Sequence, residues 1–93
     1  MLAPRRKLTI NETVVCAELD DEMVLLNVET GIYFGLDAVG TQIWTLLTEG
    51  ATEDEIVARL LDEYEVPAPE LRGDVSSFLD DLQAKGLALV EGE

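Results

Sequence analysis

The sequence predicts an α+β domain, winged helix-turn-helix-like, in which a three-stranded antiparallel sheet precedes three helices, with room for a short C-terminal strand to follow. Three observations carry this. Before Asp37 the apolar residues come in short runs rich in Val, Ile and Leu, parted by turn-forming residues. After Asp37 they recur every three or four residues, the helical period. The strands are grouped ahead of the helices, so no crossover helix is available to join parallel neighbours.

Each element follows from its own residues. Residues 1–12 contain Pro4 and the basic triplet Arg5, Arg6 and Lys7, and read as a flexible or loosely ordered N-terminal arm ahead of a single domain over 13–93. The runs "TVVCAEL" (13–19) and "MVLLNV" (23–28) flank the turn-like "DDE" (20–22) and read as a hairpin. "ETG" (29–31) makes a second tight connection, with Gly31 free to take a positive φ, and "IYFGL" (32–36) is the third strand.

Asp37 suits the N-cap of a helix over 38–50, whose Val39, Ile43, Leu46 and Leu47 form one face, with Trp44 beside it, before Gly50 stops it. Gly40 sits inside that helix, where close packing is the expected reason. Thr52 with Glu55 is a capping box that opens a second helix, and Ile56, Val57, Leu60, Leu61 and Tyr64 make its apolar stripe. "EVPAPE" ends it. Pro69 fits the first turn of a third helix, which carries Leu71, Val75, Phe78, Leu79 and Leu82 until Gly86. "LALVE" (87–91) is the short terminal strand.

Composition narrows the function. With 93 residues the chain fits one domain, and 47% hydrophobic residues are too many for a disordered acidic tail. No apolar run approaches the twenty or so residues of a membrane span, and no signal-peptide pattern opens the chain, so the expectation is a cytoplasmic protein without membrane contact. Cys16, the single cysteine, excludes an internal disulfide and reads as a small buried hydrophobe in its apolar run. The net charge is −14. A third helix with Glu70, Asp74, Asp80 and Asp81 against Arg72 and Lys85 would repel phosphate, which argues against nucleic acid.

Catalytic chemistry lacks parts. There is no histidine, so the usual zinc sites and the Ser-His and Cys-His nucleophile systems have nothing to build from, and no metal or cofactor is expected. The paired acids, such as Glu53 to Glu55 or Asp80 with Asp81, fit helix starts and solvated faces. No phosphate-binding glycine pattern or EF-hand run occurs.

One feature does point to a partner. In a meander the first and third strands are edges, and soluble proteins guard edges with charge, proline or bulges. Glu12, Glu18, Asp20 and Asp21 bracket the first strand, whereas nothing between Gly31 and Leu36 is charged. That third strand is either covered from within or open to another chain.

"LLNVETGIYFGLDAVGTQIWTLLTEGATEDEIVARLLDEYEV" followed by "DVSSFLDDLQAKGLALV" resembles the PqqD family, small peptide-recognition domains of ribosomal-peptide biosynthesis. The likeness rests on a strand ending in Asn, then "TG", Tyr-Phe before Leu-Asp, a Gly three residues later, an Ile-Trp pair, and the closing Asp-Val, Phe-Leu and Lys-Gly-Leu. It spans residues 13–90, and "TGIYFGL" is closer to the stand-alone lasso-peptide members than to the founding one.

The resemblance implies a non-catalytic adaptor. It would bind the leader segment of a precursor peptide as an added strand and present it to a separate modifying enzyme, a leader peptidase or a radical enzyme. It places strand pairing on Ile32, Tyr33, Phe34, Gly35 and Leu36, and the facing wall on Asp74, Val75, Phe78, Asp81 and Leu82. Alternation puts only one of Tyr33 and Phe34 inward, without saying which. Two other readings stay open: a structural or dimerisation subunit pairing through the same edge, and an adaptor for quinone-cofactor biosynthesis.

Overall fold

The computed structural model describes residues 6–20 and 22–90. Their elements are β1 (Leu8–Ile10), β2 (Val14–Leu19), β3 (Glu22–Asn27), β4 (Ile32–Leu36), α1 (Ala38–Thr48), α2 (Glu53–Glu63), α3 (Ala68–Ala84) and β5 (Ala88–Val90). β2, β3 and β4 pair in that order as an antiparallel meander, so the three-stranded sheet, the three helices and the short last strand all stand as the sequence predicts. Gly31 takes φ +78 in the β3–β4 turn, as its position requires.

Side chains set the helix ends. Asp37 accepts a hydrogen bond from the Gly40 amide at 2.8 Å and caps α1, and Gly50, at φ +91, terminates it. The Thr52 hydroxyl accepts from the Glu55 amide at 3.3 Å, and the Glu55 carboxylate accepts from the Thr52 amide at 2.8 Å, completing the capping box of α2. α3 starts at Ala68, so Pro69 lies in its first turn.

The inner face of β3, with Met23 and Leu25, packs with Leu36, Trp44, Ile56, Leu60, Val75, Leu79 and Leu82 in one core. Each such side chain contributes about 1.5 to 3 kcal/mol on burial.

A third strand pairing was not visible in the sequence. Leu8–Ile10 pairs antiparallel with Ala88–Val90, and Leu8 is buried in the core. Of the arm expected over 1–12, residues 1–5 lie outside the described residues, as do Asp21 of the "DDE" turn and residues 91–93.

The expectation for Cys16 is corrected: it is exposed. Its strand is an edge that runs past the helices, and along β2 only Val14 is partly covered.

Arg6 ties the start of the described chain to both later helices. Its guanidinium donates to Glu53 at 3.0 Å, Asp80 at 2.6 Å, Gln83 at 2.8 Å and the Ser76 hydroxyl at 3.2 Å, while its carbonyl accepts from the Glu53 amide at 2.8 Å. Burial alone would lower the Arg6 pKa, but the hydrogen bonds and charges of Glu53 and Asp80 outweigh it and raise the pKa above its ordinary value. Glu53 is buried, so Arg6→Met strands a carboxylate away from water and is expected to cost about 1 to 3 kcal/mol, measured by urea unfolding. Adding Glu53→Gln should recover part of that loss, because no buried carboxylate is then left unpaired, Asp80 being exposed.

Candidate functional site

β4 is one of the two edges of the sheet, and strand alternation fixes which of its groups face outward. The Val28 amide donates to the Thr13 carbonyl at 3.0 Å, on the β2 side. Backbone polar groups alternate sides along a strand, so those of Asn27, Leu25 and Met23 face β4, opposite Ile32, Phe34 and Leu36. The N–H and C=O groups of Tyr33 and Gly35 therefore point away from the sheet. No described strand pairs with them there.

Side chains alternate the other way, between the two faces. Phe34 and Leu36 turn toward the helices, while Tyr33 is 70% exposed on the opposite face. Phe34 is thus the inward aromatic. Its ring stacks on Phe78 of α3 with centroids 5.8 Å apart and 29° between planes. The Lys85 ammonium lies 5.6 Å from the Phe34 ring centroid, a cation–π contact at the far end of α3.

Beside this edge lies a groove of about 510 Å³. β4 forms one wall with Phe34, Gly35 and Leu36, and α3 forms the other with Leu71, Asp74, Val75 and Phe78. Val39, Gly40 and Ile43 of α1 make the floor, and Tyr64 and Val66 close the end beyond α2. Such a volume lies within the range of roughly 300 to 1,000 Å³ usual for ligand pockets. Asp37 and Asp74 are its acidic members.

Of the residues singled out in the sequence, Phe34, Gly35, Leu36, Asp74, Val75 and Phe78 come together in this groove. Ile32 and Tyr33 continue the same strand outside it, both exposed. Asp81 is exposed on α3, and Leu82 is fully buried in the core.

The contribution of α1 went unread in the sequence, although Gly40 was the clue. A Cβ at Gly40 would lie 3.3 Å from the Phe78 ring and 3.3 Å from the Asp37 carboxylate. The missing side chain is what lets Phe78 settle against α1. Gly40→Ala should push Phe78 into the groove, while the gain in helix propensity, about 1 kcal/mol, offsets the crowding. Near-unchanged thermal stability with a narrowed groove is the expected result, checked by calorimetry and a crystal structure of the variant.

Among the described residues no cluster of three or more His, Cys, Asp or Glu could hold a metal ion, and no helix is long and apolar enough to cross a membrane.

Comparison with known proteins agrees with this geometry. No curated protein matches the chain. Two solved structures superpose over nearly all of it. TbiB1 in complex with the TbiA(beta) leader peptide is 48% identical, with a TM-score of 0.81 over 91% of this chain and 96% of that one. A lasso peptide synthetase B1 complexed with the leader peptide is 26% identical, with a TM-score of 0.83 over 89% of this chain and 98% of that one. The model of the family described as coenzyme PQQ synthesis protein D matches residues 22–88, from the first residue of β3 into β5. The groove and its open strand are therefore set in a known frame: the chain belongs to the PqqD family.

Proposed function

We propose that this protein binds the leader segment of a ribosomally made precursor peptide as an added strand along β4 and presents it to a separate maturation enzyme, a leader peptidase in a lasso-type pathway. The observation that carries the reading is the uncharged edge of β4, its Tyr33 and Gly35 backbone groups met by no described strand, running beside an apolar groove. The two leader-bound relatives support it.

Energetics locate the affinity. Backbone pairing supplies about 0.5 to 1.5 kcal/mol per hydrogen bond, while ordering the guest strand costs on the order of 1 to 2 kcal/mol per residue. These nearly cancel. Net binding comes from large apolar leader side chains entering the groove between Phe34 and α3, at about 1.5 to 3 kcal/mol each. Ile32, Tyr33, Phe34, Gly35 and Leu36 are the proposed pairing strand, and Asp74, Val75 and Phe78 the facing wall. Asp81, exposed one turn beyond Phe78, continues that wall, and Leu82, fully buried, supports it from the core.

The role is binding without catalysis by this chain, whose sequence offers no histidine and no nucleophile system. The test is titration of a fluorescein-labelled leader segment of the precursor with the purified protein, followed by anisotropy, with the TbiA(beta) leader as a second probe. Saturable binding and an unaltered leader after incubation are expected. An absence of binding to either probe, or a modified leader in the presence of this chain alone, would sink the proposal. Sedimentation run alongside addresses pairing of two copies through β4, since a stable dimer sealed there would leave no edge for a leader.

A further inference from the structure

The sheet has a second face, turned away from the helices, and it too is almost free of charge. Register places Val15, Leu26 and Tyr33 in one row across it and Ala17, Val24 and Gly35 in the next. Leu19 and Val28 extend it at opposite ends. Val15 is 51% exposed, Leu19 58% and Val28 58%. No described helix or strand packs over these side chains, although soluble proteins seldom leave so many neighbouring aliphatic groups in water.

Charge gathers only at the margins, and it has one sign. Glu12, Glu18, Asp20, Glu22 and Glu29 are all exposed around the β2–β3 hairpin and the next turn, and no Lys or Arg occurs between Asn11 and Leu36. Two copies docked through this face would bring two acidic rims together, in chains that each carry −14. A partner with an apolar patch ringed by Lys and Arg would not meet that repulsion.

Size and position narrow the partner further. Three strands about 4.8 Å apart and six residues of about 3.4 Å each make a face of roughly 300 Å² in projection. That is small beside the roughly 800 Å² per partner of a stable interface. A leader added to β4 would widen this same face by a fourth strand, with alternate leader side chains lying level with Tyr33 and Gly35.

From these observations we infer that the outer face of β2, β3 and β4 is the docking surface for the maturation enzyme, which reads the face together with the outward side chains of the bound leader. The inference rests on the proposed leader site. It gives that site a mechanism of presentation: inward leader residues anchor in the groove, and outward ones complete the surface for an enzyme bearing a basic rim. The enzyme should bind the leader-loaded protein more tightly than the empty one.

Val15→Lys and Leu19→Lys probe the face from β2, two strands away from β4, at side chains already half or more exposed. The readouts are leader affinity by anisotropy, binding of the purified leader peptidase to the leader-loaded and empty protein by interferometry, and sedimentation. In each variant, leader affinity should stay within about twofold of the parent while peptidase binding weakens about tenfold or more. Peptidase binding to the parent should also fall as salt rises.

Parent-like peptidase binding by both variants would overturn the inference. So would a parent dimer that either substitution dissociates, since a second copy would then cover the face. Failure of the parent to bind leader would instead remove the proposed function. Loss of peptidase binding to the empty variants would still mark the face as the docking surface.

Discussion

Gly35→Pro is expected to weaken leader binding by about tenfold to a hundredfold while leaving the domain folded. The Gly35 amide points away from β3, so proline removes no hydrogen bond of the sheet, and proline is tolerated at such edge positions. A Cβ at Gly35 meets nothing within 4 Å, and its φ is not positive, so a side chain there meets no clash and needs no left-handed backbone. What proline removes is a donor for the guest strand. It also leaves a leader carbonyl facing a ring, at about 1 to 3 kcal/mol for an unsatisfied group, and each 1.4 kcal/mol is about tenfold in affinity. Gly35→Ala is the control: it keeps the amide and should bind as the parent does. Circular dichroism and anisotropy on both variants check the pair. Parent-like affinity for a folded Gly35→Pro protein would show that the leader does not pair at β4.

Local signals in the sequence were enough for the meander and the helices. Turn residues after Leu19 and Asn27, the Asp37 cap, the Thr52 and Glu55 box and the glycines at 31, 50 and 86 all act within a few residues of their own position, and all are found where local chemistry puts them. β1 is different. Three residues carry little period of their own, and its partner β5 lies some eighty positions along the chain, so nothing near Leu8 announces it. The basic triplet was opaque for the same reason, since the Arg6 partners Glu53 and Asp80 are far away in sequence.

The candidate site was half legible. Alternation put Phe34 and Leu36 on one face, but the choice between Phe34 and Tyr33 was made by Phe78 across the groove. Cys16 looked internal because its neighbours are apolar. Those neighbours are apolar on a sheet face that the protein's own helices never reach, a case in which hydrophobic sequence marks a surface rather than a core.

Asn27→Ala carries the largest expected cost in stability, about 3 to 4 kcal/mol. Asn27 is 1% exposed, and its amide meets four partners at once. The side-chain oxygen accepts from the Thr13 hydroxyl at 3.0 Å, the Glu29 amide at 2.9 Å and the Thr30 amide at 3.3 Å, and the side-chain nitrogen donates to the Gly86 carbonyl at 3.0 Å. One residue thus joins the entry to β2, the turn that delivers β4, and the turn from α3 into β5. Alanine removes four part-buried hydrogen bonds, at about 0.5 to 1.5 kcal/mol each. The Gly86 carbonyl loses less, because Asn11 also donates to it at 2.9 Å. In a domain of this size each kcal/mol lowers the melting temperature by about 4 to 8 °C, so a fall of roughly 15 to 25 °C should appear in calorimetry. Asn27→Asp separates the two halves of the network: it keeps the acceptor for the turn amides but places a carboxylate against the Gly86 carbonyl. If the Asp variant proves as stable as the parent, the link from Asn27 to Gly86 contributes little. If instead the Ala variant melts within a few degrees of the parent, the buried amide is not what holds the β3–β4 turn, and the placement of the open strand has another cause.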